Sequence, residues 1–162
     1  MKNVLLSLAL LVTTGAAEPN AGGDIPDTQA FVTYRGPGYS VLVPEGWART
    51  QRGSAVIFTW NADGEAIDTA VSGNVAATLH ARYGAQGTVT TRSTTLGGSK
   101  AVVATFSSQS KPDPVTGKTL RLDDRAYVFS GHERRAMLVL WAPAGSDNAD
   151  QWKKISESFR WS

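Results

Sequence analysis

The chain has 162 residues, carries 16 Lys plus Arg against 14 Asp plus Glu, and contains no cysteine. The missing thiols exclude disulfides, thiolate zinc sites, iron–sulfur clusters and a cysteine nucleophile. The net charge of +2 comes from scattered basic residues, with no basic stripe interleaved with aromatics, so nucleic acid is not an expected partner.

Residues 1–17 read as an export signal. Lys2 supplies the positive start, Val4 to Val12 the apolar stretch, and Gly15-Ala16-Ala17 the small residues of a cleavage site. The apolar stretch is too short to span a bilayer, which takes about 20 residues. An uncleaved signal anchor is the competing reading. The expected location is therefore secreted, periplasmic or cell envelope, with no transmembrane segment once the signal is cleaved. Residues 18–29 are rich in Gly, Pro, Asn and Asp, the composition of a flexible tether. Residues 30–162 then form one domain, large enough to hold one core by packing alone.

Within that domain, Phe31 to Tyr34 and Tyr39 to Val43 read as strands around the turn Gly36-Pro37-Gly38. Pro44-Glu45-Gly46 stops the second strand before Trp47. Ser54 to Trp60 is β-branched and aromatic, a strand, and Asn61-Ala62-Asp63-Gly64 reads as a turn. Ala66 to Ser72 is a weaker strand. Val75, Leu79 and Tyr83 recur at helical spacing before Gly84, which favours a helix over a strand.

Gly87 to Leu96 and Lys100 to Ser107 read as strands around Gly97-Gly98, and Lys111 to Gly117 as a loop, because its two prolines cannot sit in a ladder. Thr119 to Phe129 and Arg135 to Ala142 are longer strands. The unbroken apolar run Ala136 to Trp141 predicts a central strand covered on both faces. The last element is a helix capped by Asp147. Trp152, Ile155, Ser156 and Phe159 share its apolar face by spacing of three and four.

No catalytic constellation stands out. The two histidines, His80 and His132, lack any metal-ligand spacing, and His132 falls at a hairpin tip beside Glu133. Ser108 and Lys111 have S-x-x-K spacing, but that pair works on a helix and this copy runs into Pro112. Asp123 and Asp124 lie in one strand and so point to opposite faces. No cofactor is expected. The candidate ligand-binding residues are Trp60 and Trp141, whose indoles suit a cleft, and His132.

The strand Tyr39 to Trp47 with its Pro-x-x-Trp ending resembles the opening of PsbP-like domains. So do the hairpin from Arg125 through Met137 to Ala142 and the closing Trp152, Ile155, Ser158 and Phe159. The resemblance implies an α+β fold: a central antiparallel sheet of about six to seven strands with helices packed on its faces. It also implies a binding or stabilising role, since the family's best-known members are extrinsic photosystem subunits rather than enzymes. The long basic N-terminal extension of the photosynthetic members is missing here. The expected protein is an exported, monomeric accessory domain with a protein or envelope-assembly partner. A small-ligand carrier and an envelope hydrolase with a histidine base are the alternatives.

Overall fold

The structure is a computed structural model that describes residues 23–162. The leader and the first five tether residues lie outside the described residues. The elements in chain order are β1 (Phe31–Gly36), β2 (Tyr39–Pro44), β3 (Ala48–Arg52), β4 (Ala55–Trp60), β5 (Asp63–Asp68) and α1 (Val75–Tyr83). Then come β6 (Gln86–Leu96), β7 (Ser99–Gln109), β8 (Arg121–Gly131), β9 (Arg134–Pro143), α2 (Ala149–Glu157) and β10 (Arg160–Trp161). The class is α+β, as expected. A seven-stranded antiparallel sheet runs in the order β3-β4-β5-β9-β8-β7-β6, and a second sheet of three strands runs β1-β2-β10.

Strand β9 is the middle strand of the large sheet. Ala136 to Leu140 are at most 1 % exposed, which is what a strand covered on both faces requires. The small sheet was not anticipated. Pro44 ends β2, and Gly46 turns the chain at a φ of 84°, a region open mainly to glycine. The chain therefore leaves the small sheet before β3 begins.

One face of the large sheet is closed by α2 and the small sheet. Val56 and Phe58 of β4, Ile67 of β5, Val103 of β7 and Tyr127 of β8 pack there with Leu138 of β9. Tyr39, Val41 and Val43 of β2 and Trp152, Ile155 and Phe159 of the C-terminal region cover them. Phe159 stacks on Phe129 at 4.1 Å and 6° and on Tyr39 at 5.8 Å and 12°, with Trp161 edge-on at 5.1 Å. Ser158 ties the end of α2 to β2, its hydroxyl accepting the Leu42 N–H at 2.8 Å.

The other face carries α1 alone. Asn74 caps this helix by accepting the Ala77 N–H at 2.9 Å, and Gly84 ends it in the left-handed conformation at φ 65°. Leu79, fully buried, packs with Ala66, Ala104, Ala126 and Val139. Registers place Ala104, Ala126, Val139 and Ala66 in one row across four strands. That row is shallow, so the helix can lie close to the sheet. Arg82 anchors it further by pairing with Asp68 of β5, which also accepts the Ser54 hydroxyl at 2.6 Å.

Several expectations need correction. The turn after β4 is only Asn61-Ala62, and β5 starts at Asp63. The weaker strand read from Ala66 to Ser72 thus starts earlier and ends at Asp68, and its six positions are all buried although three are acidic. Strand β3 was missed because it is an edge strand with every residue exposed and no alternation to read. Helix α2 is capped at Asn148, not Asp147. The Asn148 side chain caps nothing: its Oδ1 accepts the Ile25 N–H at 2.7 Å and its Nδ2 donates to the Gly23 carbonyl at 2.8 Å. Residues 23–27 of the expected tether are therefore docked on the domain, with Ile25 4 % exposed.

Candidate functional site

The short α1 leaves part of its face uncovered, and a groove enclosing about 790 Å³ opens there. Two residues along each strand from the alanine row, about 7 Å away, lies a second row. It runs Phe106, Asp124, Trp141, Gly64 and Thr59 across β7, β8, β9, β5 and β4. Asp124, Trp141 and Thr59 of this row line the groove, and the segment from Ser110 to Leu120 borders it.

Gly64 is the position on which this row depends. A Cβ there would fall 1.9 Å from Cζ2 of Trp141, because the indole occupies the space a side chain would fill. Trp141 can thus lie down against β5 and leave room above it. Asp124 sits directly across the strand pair from Trp141. It is 4 % exposed; its Oδ1 accepts the Ser108 hydroxyl at 3.1 Å, and its Oδ2 has no protein partner. Burial pushes its carboxyl from 3.8 up to about 7, against the opposing pull of the Ser108 hydrogen bond.

The bordering loop is ordered by its own bonds. Asp113 Oδ1 accepts the N–H groups of Val115 at 3.0 Å and Thr116 at 2.7 Å. Those bonds hold the Asp113 carboxyl below its ordinary value, and the Gly117 N–H closes back on its carbonyl at 2.8 Å. At the base of the loop, Ser110 and Leu120 are bonded twice, each at 2.9 Å. Lys111 and Lys118 project from this loop at the groove's edge, and neither is in an ion pair among the described residues.

The three residues singled out from sequence are not gathered in one place. Trp141 lines the groove. Trp60 shares the parity of Val56 and Phe58, so it falls on the opposite face, 46 % exposed at the end of β4. His132 occupies the two-residue turn between β8 and β9, at φ 51° beside Glu133 at φ 57°. It lies eight residues from Asp124 along β8, about 26 Å away in an extended strand. His80, on α1, bonds the Ala85 carbonyl at 2.7 Å.

Sequence reasoning missed Asp124 and Ser108 as site residues. The signal was present: the inward positions Leu122, Asp124, Ala126 and Val128 of β8 are apolar except at Asp124. Two further buried acids lie on β5, and Asp63 also borders the groove. Glu65 is fully buried without a hydrogen-bond partner, and desolvation pushes its carboxyl well above its ordinary value. Asp63 accepts from Asn148 at 3.4 Å and is pushed up to about 7 by burial.

No helix among the described residues is long and apolar enough to cross a membrane. No protein-family model matches the chain, and no curated protein matches it. Among solved structures it is similar to a protein of Bacteroides thetaiotaomicron, at a TM-score of 0.53 and 12 % identity. That match covers 80 % of this chain and 48 % of the other, so the chain spans about half the length of that structure. Weaker likenesses are to PA94 of Pseudomonas aeruginosa, of unknown function, and to LpqN of Mycobacterium tuberculosis, involved in cell envelope biogenesis. PA94 gives a TM-score of 0.43 at 18 % identity, over 76 % of this chain and 91 % of that one. LpqN gives 0.38 at 20 % identity, over 81 % and 88 %. The first likeness is one of fold alone, and the other two are too distant to support an argument.

Proposed function

We propose that this chain is a non-catalytic binding domain, exported to the bacterial cell envelope, that acts as a monomer and takes a small ligand in the groove over Trp141. One observation carries the reading: Asp124 is buried on the floor of an open groove with one carboxyl oxygen unpartnered. A buried polar atom without a partner costs about 1–3 kcal/mol. A ligand that bonds it recovers that cost. The groove volume falls within the usual range for small-molecule sites.

Binding is favoured over hydrolysis by what surrounds Ser108. Its hydroxyl donates to a carboxyl that burial keeps protonated below about pH 7, and no histidine lines the groove. A serine nucleophile needs an activating base. Export is supported by Lys2, the apolar stretch Val4 to Val12 and the small residues Gly15 to Ala17. A PsbP-like plan is supported by β2 with its proline stop, the β8–β9 hairpin and the closing Trp152 and Phe159 packed on one sheet face. A second reading, in which the domain grips a protein partner or envelope assembly, is favoured by Trp60, whose indole is half-exposed on the other face.

Saturation-transfer NMR with a small-molecule extract of bacterial envelopes tests the first reading. Wild-type protein gives transfer to at least one compound, and Gly64→Val, which fills the space under Trp141, loses it. Equal transfer to both proteins, or none to the wild type, overturns the groove as a binding site.

A further inference from the structure

The charges of the groove are arranged in two tiers, and the arrangement restricts what fits. On the floor, Asp124 carries one carboxyl oxygen without a protein partner, with Trp141 as its cross-strand neighbour; Asp63 at the groove's border has another. Cross-strand neighbours of this kind have Cβ atoms about 4.5–5.5 Å apart. A carboxylate with a tryptophan at that distance is a site for an ammonium group: the carboxylate takes the charge-assisted hydrogen bond, and the indole attracts the cation. At the edge the sign reverses. Lys111 and Lys118 are exposed and not in ion pairs among the described residues. Arg82 is committed to Asp68, and Arg52 donates to the Arg82 carbonyl at 3.2 Å. The edge carboxylate, Asp113, engages its own turn through Oδ1 and offsets part of the positive charge of the two lysines.

Resting on the binding reading above, we propose that the groove selects a small zwitterion, whose primary ammonium pairs with Asp124 beside Trp141 and whose anionic group meets Lys111 and Lys118. A simple cation would be repelled by the two lysines on its way in. A simple anion would leave the floor oxygen unpartnered. A molecule carrying both charges satisfies both tiers. The same chemistry occurs in a short peptide with free termini and in a phosphoethanolamine headgroup. Because the ammonium binds the ionised form of Asp124, affinity rises with pH toward and past 7 and falls again where the amine loses its proton.

The test is a titration of the full domain followed by amide and indole NMR shifts, with four probes: dialanine, phosphoethanolamine, ethylamine and inorganic phosphate. One of the two zwitterions is expected to shift the Trp141 indole signal and to bind at least tenfold more tightly than ethylamine or phosphate. Which zwitterion does so identifies the source. Asp124→Asn preserves shape and can still accept from Ser108, and it should weaken that binding at least tenfold. The double variant Lys111→Ala/Lys118→Ala, confined to exposed side chains, should weaken it severalfold without changing the melting temperature. Phosphate or ethylamine binding as tightly as the zwitterions, or an Asp124→Asn variant with unchanged affinity, overturns the ligand class while leaving a groove that binds. Failure of all four probes to shift any groove signal also overturns the ligand class; the envelope-extract experiment decides separately whether the groove binds at all.

Discussion

The two faces of the large sheet are built from the same five central strands and behave differently. On the closed face, the row Val103, Tyr127, Leu138, Ile67 and Val56 presents bulky side chains to two further layers, the small sheet and α2. On the open face, the adjacent row is Ala104, Ala126, Val139 and Ala66, and one nine-residue helix covers it. Large residues fill an interlayer gap and leave nothing vacant; alanines bring a helix close but cannot extend its reach. Beyond the last turn of α1 the sheet runs on uncovered, and polar groups appear at inward positions. One face provides most of the core, and the other provides room for a ligand.

Substitutions on each face can break or sharpen that contrast. The largest effect is expected at Phe159, which is fully buried between Phe129 and Tyr39. Phe159→Ala should cost about 3–5 kcal/mol, read as a fall in the urea midpoint at unchanged slope. A loss under 1 kcal/mol would mean that the C-terminal tail is not part of the core.

Next is Gly64→Val on the open face. The new side chain meets the Trp141 ring, and overpacking of this kind costs about 1–3 kcal/mol. Its distinctive signature is a changed Trp141 fluorescence together with loss of groove binding. An unchanged spectrum would show that the indole does not rest on β5.

Asp124 gives a pH test. Its folded carboxyl titrates near 7 and its unfolded one near 3.8, so the folded state holds the proton more tightly. Stability from this group is complete below about pH 4 and is lost as pH rises through about 7. Full retention of that difference would amount to about 4 kcal/mol; water in the open groove should reduce it to about 2 kcal/mol. Asp124→Asn should therefore gain on the wild type as pH rises from 4 to 8, with Asp63 and Glu65 contributing equally to both curves. Parallel stability curves for the two proteins would contradict the buried carboxyl.

The smallest effect lies at the β8–β9 turn, far from the groove. His132 and Glu133 both hold positive φ, a conformation that Asn-Gly adopts with less strain. Replacing the pair with Asn-Gly should stabilise by about 0.5–1 kcal/mol and leave groove binding untouched. A drop in affinity would assign His132 a role at the groove that its position does not suggest.

How legible each part was in the sequence followed from range. Helix α2 was readable because Trp152, Ile155 and Ser156 repeat at helical spacing within a single element, and burial follows that pattern. Strand β9 was readable because an unbroken apolar run has few other uses. Strand β5 was read only from Ala66 onward, because Asp63 and Glu65 argue for solvent, and the neighbours that bury them are distant in sequence. The start of α2 was misplaced at Asp147, and the part of Asn148 was missed for the same reason: it holds Gly23 and Ile25, more than 120 residues away. The groove was invisible as such, since the row that lines it takes Asp124 from β8, Trp141 from β9 and Thr59 from β4.

By itself the sequence determined the central strand, both helices and the absence of thiol chemistry, all of which rest on local periodicity or on composition, while the α+β class was what the family resemblance implied. Only the tertiary structure decided which face stays open, that Trp141 lies over Gly64 beside Asp124, and that Trp60 and His132 lie elsewhere. Strand order and register set those neighbours, and register is fixed by pairing across the sheet rather than by any stretch of chain read alone.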